Sequence, residues 1–186
     1  MAGHTRLVQK RIREKCIIDC MDNNVEVKKS SKQGKGVFAC RDFSKGDFVL
    51  EIDDSHVVTD ESKLTKEQHE FHCDYFADKI VLMQEPEVYI NHSCDPNVYV
   101  KTKNGVRNVY ALQDVKKGDE ITYDYSVNGD NDGVFKCNCG SQNCRGVYQG
   151  NFFKLPIDIQ LKYLPYLDDW FIEKYKTRID DLRARN

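Results

Sequence analysis

From residue 25 onward the apolar positions fall in short β-rich runs cut by Gly, Asp and Ser: "VEVKKSS", "GKGVFACRDF", "GDFVLEI" and "HVVT". The pattern returns in "KIVLM", "NVYV", "VRNVYALQDV" and "EITYDY", and Lys103-Asn104-Gly105 stands between two of these runs as a tight hairpin turn. Other stretches break the pattern. Residues 1 to about 24 carry Leu7, Val8, Ile12, Cys16 and Cys20 and predict a helix with a basic face. Residues 60–73 read as a short helix capped by Asp60 or Ser62, and "SVNGDNDG" reads as a flexible, turn-rich link. In the tail, Pro156 and Pro165 each suit the start of a helix. Leu167, Phe171, Tyr175, Ile179 and Leu182 recur at three or four residues and form one apolar stripe. The whole predicts a mostly β domain with short helices and a C-terminal helical tail, its stripe covered most simply by the domain itself.

A chain of 186 residues is long enough for one domain with a real core, and 40% hydrophobic with 31% charged residues marks a soluble globular chain. The net charge of −2 argues against broad binding to a phosphate backbone. Only the N-terminal piece is basic, with Arg6, Lys10, Arg11, Arg13 and Lys15, a pattern that most often means a solvated face. No apolar run reaches the length of a membrane span, and no signal-peptide stretch is present. The expectation is an intracellular protein, cytoplasmic or nuclear and not secreted. In such a compartment the eight cysteines read as thiols or metal ligands rather than disulfides, and Asn91-His92-Ser93 matches the glycosylation pattern by chance.

"CNCGSQNC" places Cys137, Cys139 and Cys144 within one tight loop, where three sulfurs converge at little entropic cost. Structural zinc takes four thiolates or imidazoles, so a fourth ligand has to come from elsewhere. Cys94 is the candidate, because it sits in the polar cluster "YINHSCDPN" before a Pro turn. The alternative is a surface loop with incidental thiols. Cys40 reads as a buried strand thiol, and Cys16 and Cys20 as core thiols. His69 and His72 stand three apart, one short of the helical zinc-protease spacing, and read as ordinary helix residues. "GKGVFA" fits a dinucleotide-binding fingerprint only on paper, since a β-like run rather than a helix follows it.

Taken in order, "GKGVFA", "YINHSCDPN", "GDEITYDY" and "CNCGSQNCRG" resemble the SET-domain protein-lysine methyltransferases that carry a cysteine-rich post-SET segment. The resemblance spans residues 34–146. It implies a β-rich fold with a pseudoknot, a SET domain over 25–127, a post-SET segment over 134–150 and a tail over 151–186. It also implies S-adenosylmethionine as cofactor, contacted by the backbone of Lys35 and Gly36 and by Asn91 and His92, with Tyr148 near the adenine and Tyr75 lining the site. Tyr125 matches the catalytic tyrosine, and Tyr123 the position that carries Phe or Tyr. Cys94, Cys137, Cys139 and Cys144 match the zinc ligands. The implied substrate is a lysine in a protein or peptide, histone or nonhistone, with no nucleic acid or membrane as partner. The Tyr123 hydroxyl takes up space, so mainly monomethylation is expected. One departure is Val88, where the family usually has Arg. Alternatives are a catalytically inactive SET-like binding module, a cysteine hydrolase using Cys94 and His92, and a purely structural zinc protein.

Overall fold

A computed structural model of the chain describes residues 24–76 and 79–185. The basic segment predicted as the first helix, with Cys16 and Cys20, lies outside the described residues.

Four strands form the first sheet, in the order β1 (Val25–Lys29), β2 (Lys35–Ala39), β9 (Glu120–Tyr123) and β6 (Asn91–His92). A second sheet has the order β3 (Phe48–Glu51), β8 (Val106–Ala111) and β7 (Val98–Lys103). Two ribbons complete the β structure: β4 (Cys73–Phe76) with β5 (Lys79–Leu82), and β10 (Asp130–Lys136) with β11 (Val147–Asn151). Val37, Val49, Val98, Val109 and Ile121 come from strands of both sheets and are essentially free of solvent. They form the first core, and their burial is the main favourable contribution to its folding. Asn104 and Gly105 join β7 to β8 with φ of 52° and 79°. Both central residues of this hairpin are left-handed, as an Asn-Gly turn requires.

One charged group in the interior, Arg107, is fully matched. The Arg107 guanidinium donates to both Asp54 oxygens and to Asp74, and lies 4.6 Å from the centre of the Phe76 ring. Cys40 is buried as predicted, but it is disulfide-bonded rather than a thiol.

The tail holds α1 (Ile157–Tyr163), α2 (Asp169–Lys174) and α3 (Lys176–Arg183). Leu167, Phe171 and Ile179 are fully buried and Leu182 nearly so, in a second core that also takes Val127, Phe152, Leu155 and Tyr163. Leu112 and Tyr123 of the β domain pack against it, so the domain covers its own stripe. Pro156 precedes α1 as predicted, whereas Pro165 sits in the 3-10 turn Leu164–Tyr166 between α1 and α2.

Two local readings are corrected. Residues 60–73 form two pieces rather than one helix. Asp60 caps a 3-10 turn at Glu61–Lys63, and Leu64 is extended. Thr65 and Gln68 then exchange side-chain and backbone hydrogen bonds and open a separate turn. "SVNGDNDG" is a link only as far as Gly129. Its second half enters β10, and a register shift between Asp130 and Val134 absorbs the turn-forming residues.

Candidate active site and cysteine centre

The strand β6 is only two residues long, and it pairs parallel to β9: Asn91 faces Thr122 and His92 faces Tyr123. Parallel neighbours need a long crossover, supplied here by the β7–β8 hairpin. The ladder continues beyond the strand. Ser93 N–H donates to Tyr123 O at 3.0 Å and Asn97 N–H to Thr122 O at 3.2 Å. The Asn97 side chain then imitates a strand, donating to Glu120 O and accepting from Thr122 N–H at 2.9 and 2.8 Å. The "YINHSC" and "EITYDY" segments are thereby locked side by side.

Asn91 reaches toward the glycine loop. Its amide donates to Lys35 O at 2.9 Å, to Gln33 O at 3.3 Å and to Glu120 Oε1 at 2.8 Å. The same Glu120 oxygen accepts from the Ser30 hydroxyl at 2.7 Å. A Cβ on Gly36 would collide with that oxygen and crowd Ser30, so any larger residue there would push Glu120 off its partners. Lys35 leaves the strand and donates from Nζ to the Tyr89 hydroxyl at 3.2 Å.

Tyr125 follows β9. Its backbone N–H donates to His92 Nδ1 at 3.2 Å, and its hydroxyl donates to Ile90 O at 2.6 Å. The residue as a whole is 42% exposed, but desolvation around its hydroxyl end pushes the phenol above the usual tyrosine range, so the hydroxyl keeps its proton. Around it stands an aromatic wall. Tyr148 meets His92 and Tyr125 edge-on at 5.6 and 6.0 Å, and Phe135 stacks on Tyr148 at 5.9 Å. Phe135 is 65% exposed, an unusual place for so large an apolar ring. Tyr75 lies on β4, 62% exposed. Tyr123 is enclosed, its hydroxyl donating to Val127 O at 2.6 Å and accepting from Asn128 Nδ2 at 3.3 Å.

Beside His92 the sulfurs of Cys94, Cys137, Cys139 and Cys144 lie within 4.8 Å of one another. The Cys94 and Cys137 sulfurs are 3.7 Å apart. Four zinc–sulfur bonds of about 2.3 Å in a tetrahedron put their sulfurs about 3.8 Å apart, so these residues fit a zinc ion. Burial pushes the Cys94 and Cys137 thiols up, and Cys139 moves the other way. Burial opposes ionisation of Cys139, but the Cys94 amide and Ser141 outweigh it and bring the thiol down to about 6. Ser93 serves the same turn, accepting from Asp95 N–H at 3.1 Å and donating to Asp95 O at 3.0 Å.

Residues 34–126 match the SET domain family, half of the chain. The chain belongs to the SET-domain family. Among its relatives, Histone-lysine N-methyltransferase trr of Drosophila melanogaster is 32% identical over 139 residues, 66% of this chain and 6% of that protein. Histone-lysine N-methyltransferase 2D of Homo sapiens is 31% identical over 138 residues, 66% of this chain and 2% of that protein. The chain therefore spans a small part of the curated SET relatives it matches. The crystal structure of KRYPTONITE in complex with mCHG DNA and SAH shares the fold, with a TM-score of 0.52 and 24% identity over 68% of this chain and 29% of that one. The parallel β6–β9 pairing is the threaded SET crossing, and the cysteine quartet fits a post-SET zinc site.

Several residues that build this SET site escaped sequence reasoning. Asp124, between the two tyrosines, is fully buried and takes both arms of Arg145 at 2.7 and 2.9 Å. Arg145 also donates to Ser126 Oγ at 3.2 Å and to Cys94 O at 3.5 Å. One ion pair therefore binds the cysteine segment to the tyrosine motif. The other missed residues are Glu120, Phe135 and Asn128. An Arg directly after the last cysteine of the cluster was the one readable signal for the Asp124–Arg145 pair.

Proposed function

We propose that the chain transfers a methyl group from S-adenosylmethionine to a lysine side chain of a protein, adding mainly one. The observation that carries this is the Tyr125 hydroxyl, held at the threaded crossing beside an exposed aromatic wall. The wall suits a flat, charged cofactor, since rings accept both stacking and cation contacts. Asn91, His92, Lys35, Gly36 and Tyr148 would hold the cofactor, with Tyr75 at its edge. When bound, it supplies a methyl group on a positively charged sulfur.

The chain's own residues then have two tasks. The lysine must be neutral to react, and only about one in a thousand is so at pH 7.4, a cost of roughly 4 kcal/mol. Apolar walls around the nitrogen lower that cost by desolvation. Tyr125, protonated, orients the amine through its oxygen. Each round forms one N–CH3 bond and breaks one S–CH3 bond, and the amine's proton leaves to water beforehand. The named relatives are histone methyltransferases, which favours a basic, histone-like tail and a nuclear site of action. A net charge of −2 suits a basic protein segment better than DNA. The cysteine quartet would hold zinc as a clamp, with no part in the chemistry.

Incubating a peptide library with S-adenosylmethionine tests the reading by mass spectrometry. Wild type is expected to methylate lysine, and Tyr125→Phe to lose about a hundredfold in rate, as misorientation costs. A wild type without transfer, or a fully active Tyr125→Phe, would overturn it. Products test the role of Tyr123. Monomethyl-lysine should dominate, and Tyr123→Phe should raise the higher states. Abundant trimethyl-lysine from wild type would count against that assignment.

A further inference from the structure

Asn128 stands in the left-handed region at φ 62°, which Asn tolerates and most residues do not. Its side chain is engaged at both ends. Oδ1 accepts from Asp168 N–H at 2.8 Å, and Nδ2 donates to the Tyr123 hydroxyl at 3.3 Å. The anchor is itself built in. Asp168 is fully buried, and its carboxylate accepts from Thr102 N–H at 3.1 Å and from the Thr102 hydroxyl at 2.7 Å. A hydrogen-bonded line thus runs from β7, through the residue before α2, to the phenol of Tyr123.

That line fixes what the phenol can still do. A tyrosine hydroxyl has one proton and two acceptor sites. The proton goes to Val127 O at 2.6 Å, and one acceptor site is filled by Asn128. One acceptor site remains. We propose that Asn128 is a positioning residue that limits how many methyl groups the lysine takes, by holding the Tyr123 hydroxyl as an acceptor only. The proposal rests on the methyltransferase reading above. A neutral primary amine has two N–H groups, so it can give one to this acceptor and still aim its lone pair at the methyl donor. A monomethylated amine must turn its methyl away from the fixed oxygen while keeping its one N–H on it, which leaves fewer orientations for a second round. A freed hydroxyl can turn, donate, or give way.

Two variants test it, each made alone and with Tyr123→Phe. Asn128→Gly accepts the positive φ and removes both hydrogen bonds. Asn128→Asp keeps the acceptor for Asp168 N–H and removes the donor to Tyr123. Products are measured from unmethylated and monomethylated peptides, beside thermal unfolding. Both variants are expected to raise the ratio of dimethyl to monomethyl product about fivefold, the scale of one hydrogen bond. With Tyr123→Phe present, neither should add to the shift. A role limited to anchoring the tail predicts instead that Asn128→Asp keeps the wild-type ratio, and that result would overturn the proposal. So would an equal shift in the Tyr123→Phe background, or unchanged ratios in both single variants. Transfer by wild type with unchanged ratios sinks this proposal alone, whereas no transfer by wild type sinks the methyltransferase reading and this proposal with it.

Discussion

Replacing Cys139 with Ser is expected to leave the purified protein without zinc and with a melted segment between residues 134 and 150. The four sulfurs converge within 4.8 Å, three of them from one loop and one from the threaded crossing. Zinc held by such a set contributes about 10–16 kcal/mol of apparent binding energy, and for a site that forms only on folding this is folding energy. Among the described residues, no other single change is expected to cost as much. The consequence reaches the cofactor side. Cys137 N–H donates to Gly146 O at 3.0 Å, and these two residues directly follow β10 and directly precede β11, which carry Phe135 and Tyr148. Loosening the loop loosens the wall. Elemental analysis should give one zinc per wild-type chain and far less in the variant. Hydrogen exchange should speed up across the segment, and affinity for S-adenosylmethionine should fall. A variant with full zinc content and unchanged exchange would refute the assignment.

The second large effect is expected at Arg145. Arg145→Met keeps much of the side chain's volume and removes its charge, leaving the Asp124 carboxylate buried without a partner. Breaking a buried pair from one side costs about 3–5 kcal/mol, because the stranded charge keeps its desolvation penalty. Denaturant unfolding reads this directly. The double variant Arg145→Met with Asp124→Asn should recover part of the loss, since no charge is then stranded. A cost below about 1 kcal/mol for Arg145→Met would show that water reaches Asp124 and that the pair is weak.

What was legible followed from local signals. The strand runs, the Asn-Gly hairpin and the apolar stripe each rest on neighbours in sequence, and each is found where its pattern placed it except "HVVT", which makes only an isolated bridge from Val57 to Val81. Cys94 was found by counting, because three thiols in "CNCGSQNC" require a fourth and the motif order pointed to one. The ion pair of Asp124 and Arg145 is a long-range match across 21 positions, and no periodicity encodes such a partner. Asn128 and Phe135 were hidden by composition. "SVNGDNDG" carries strong turn chemistry, and the bulge that lets β10 begin inside it depends on pairing with β11. The disulfide at Cys40 went unread for a related reason, since the compartment argument weighs cysteines as a group and not one by one.

The parallel pairing of β6 with β9 sets the order in which the machinery can come together during synthesis. Asn91 and His92 leave the ribosome about thirty residues before the strand they lie against, at Thr122 and Tyr123. The bond that secures Asp124 waits longer still, for Arg145. Contacts that span so much chain form late. A nascent polypeptide halted before Arg145 would already hold most of the first core and yet leave the Asp124 carboxylate without the guanidinium that secures it.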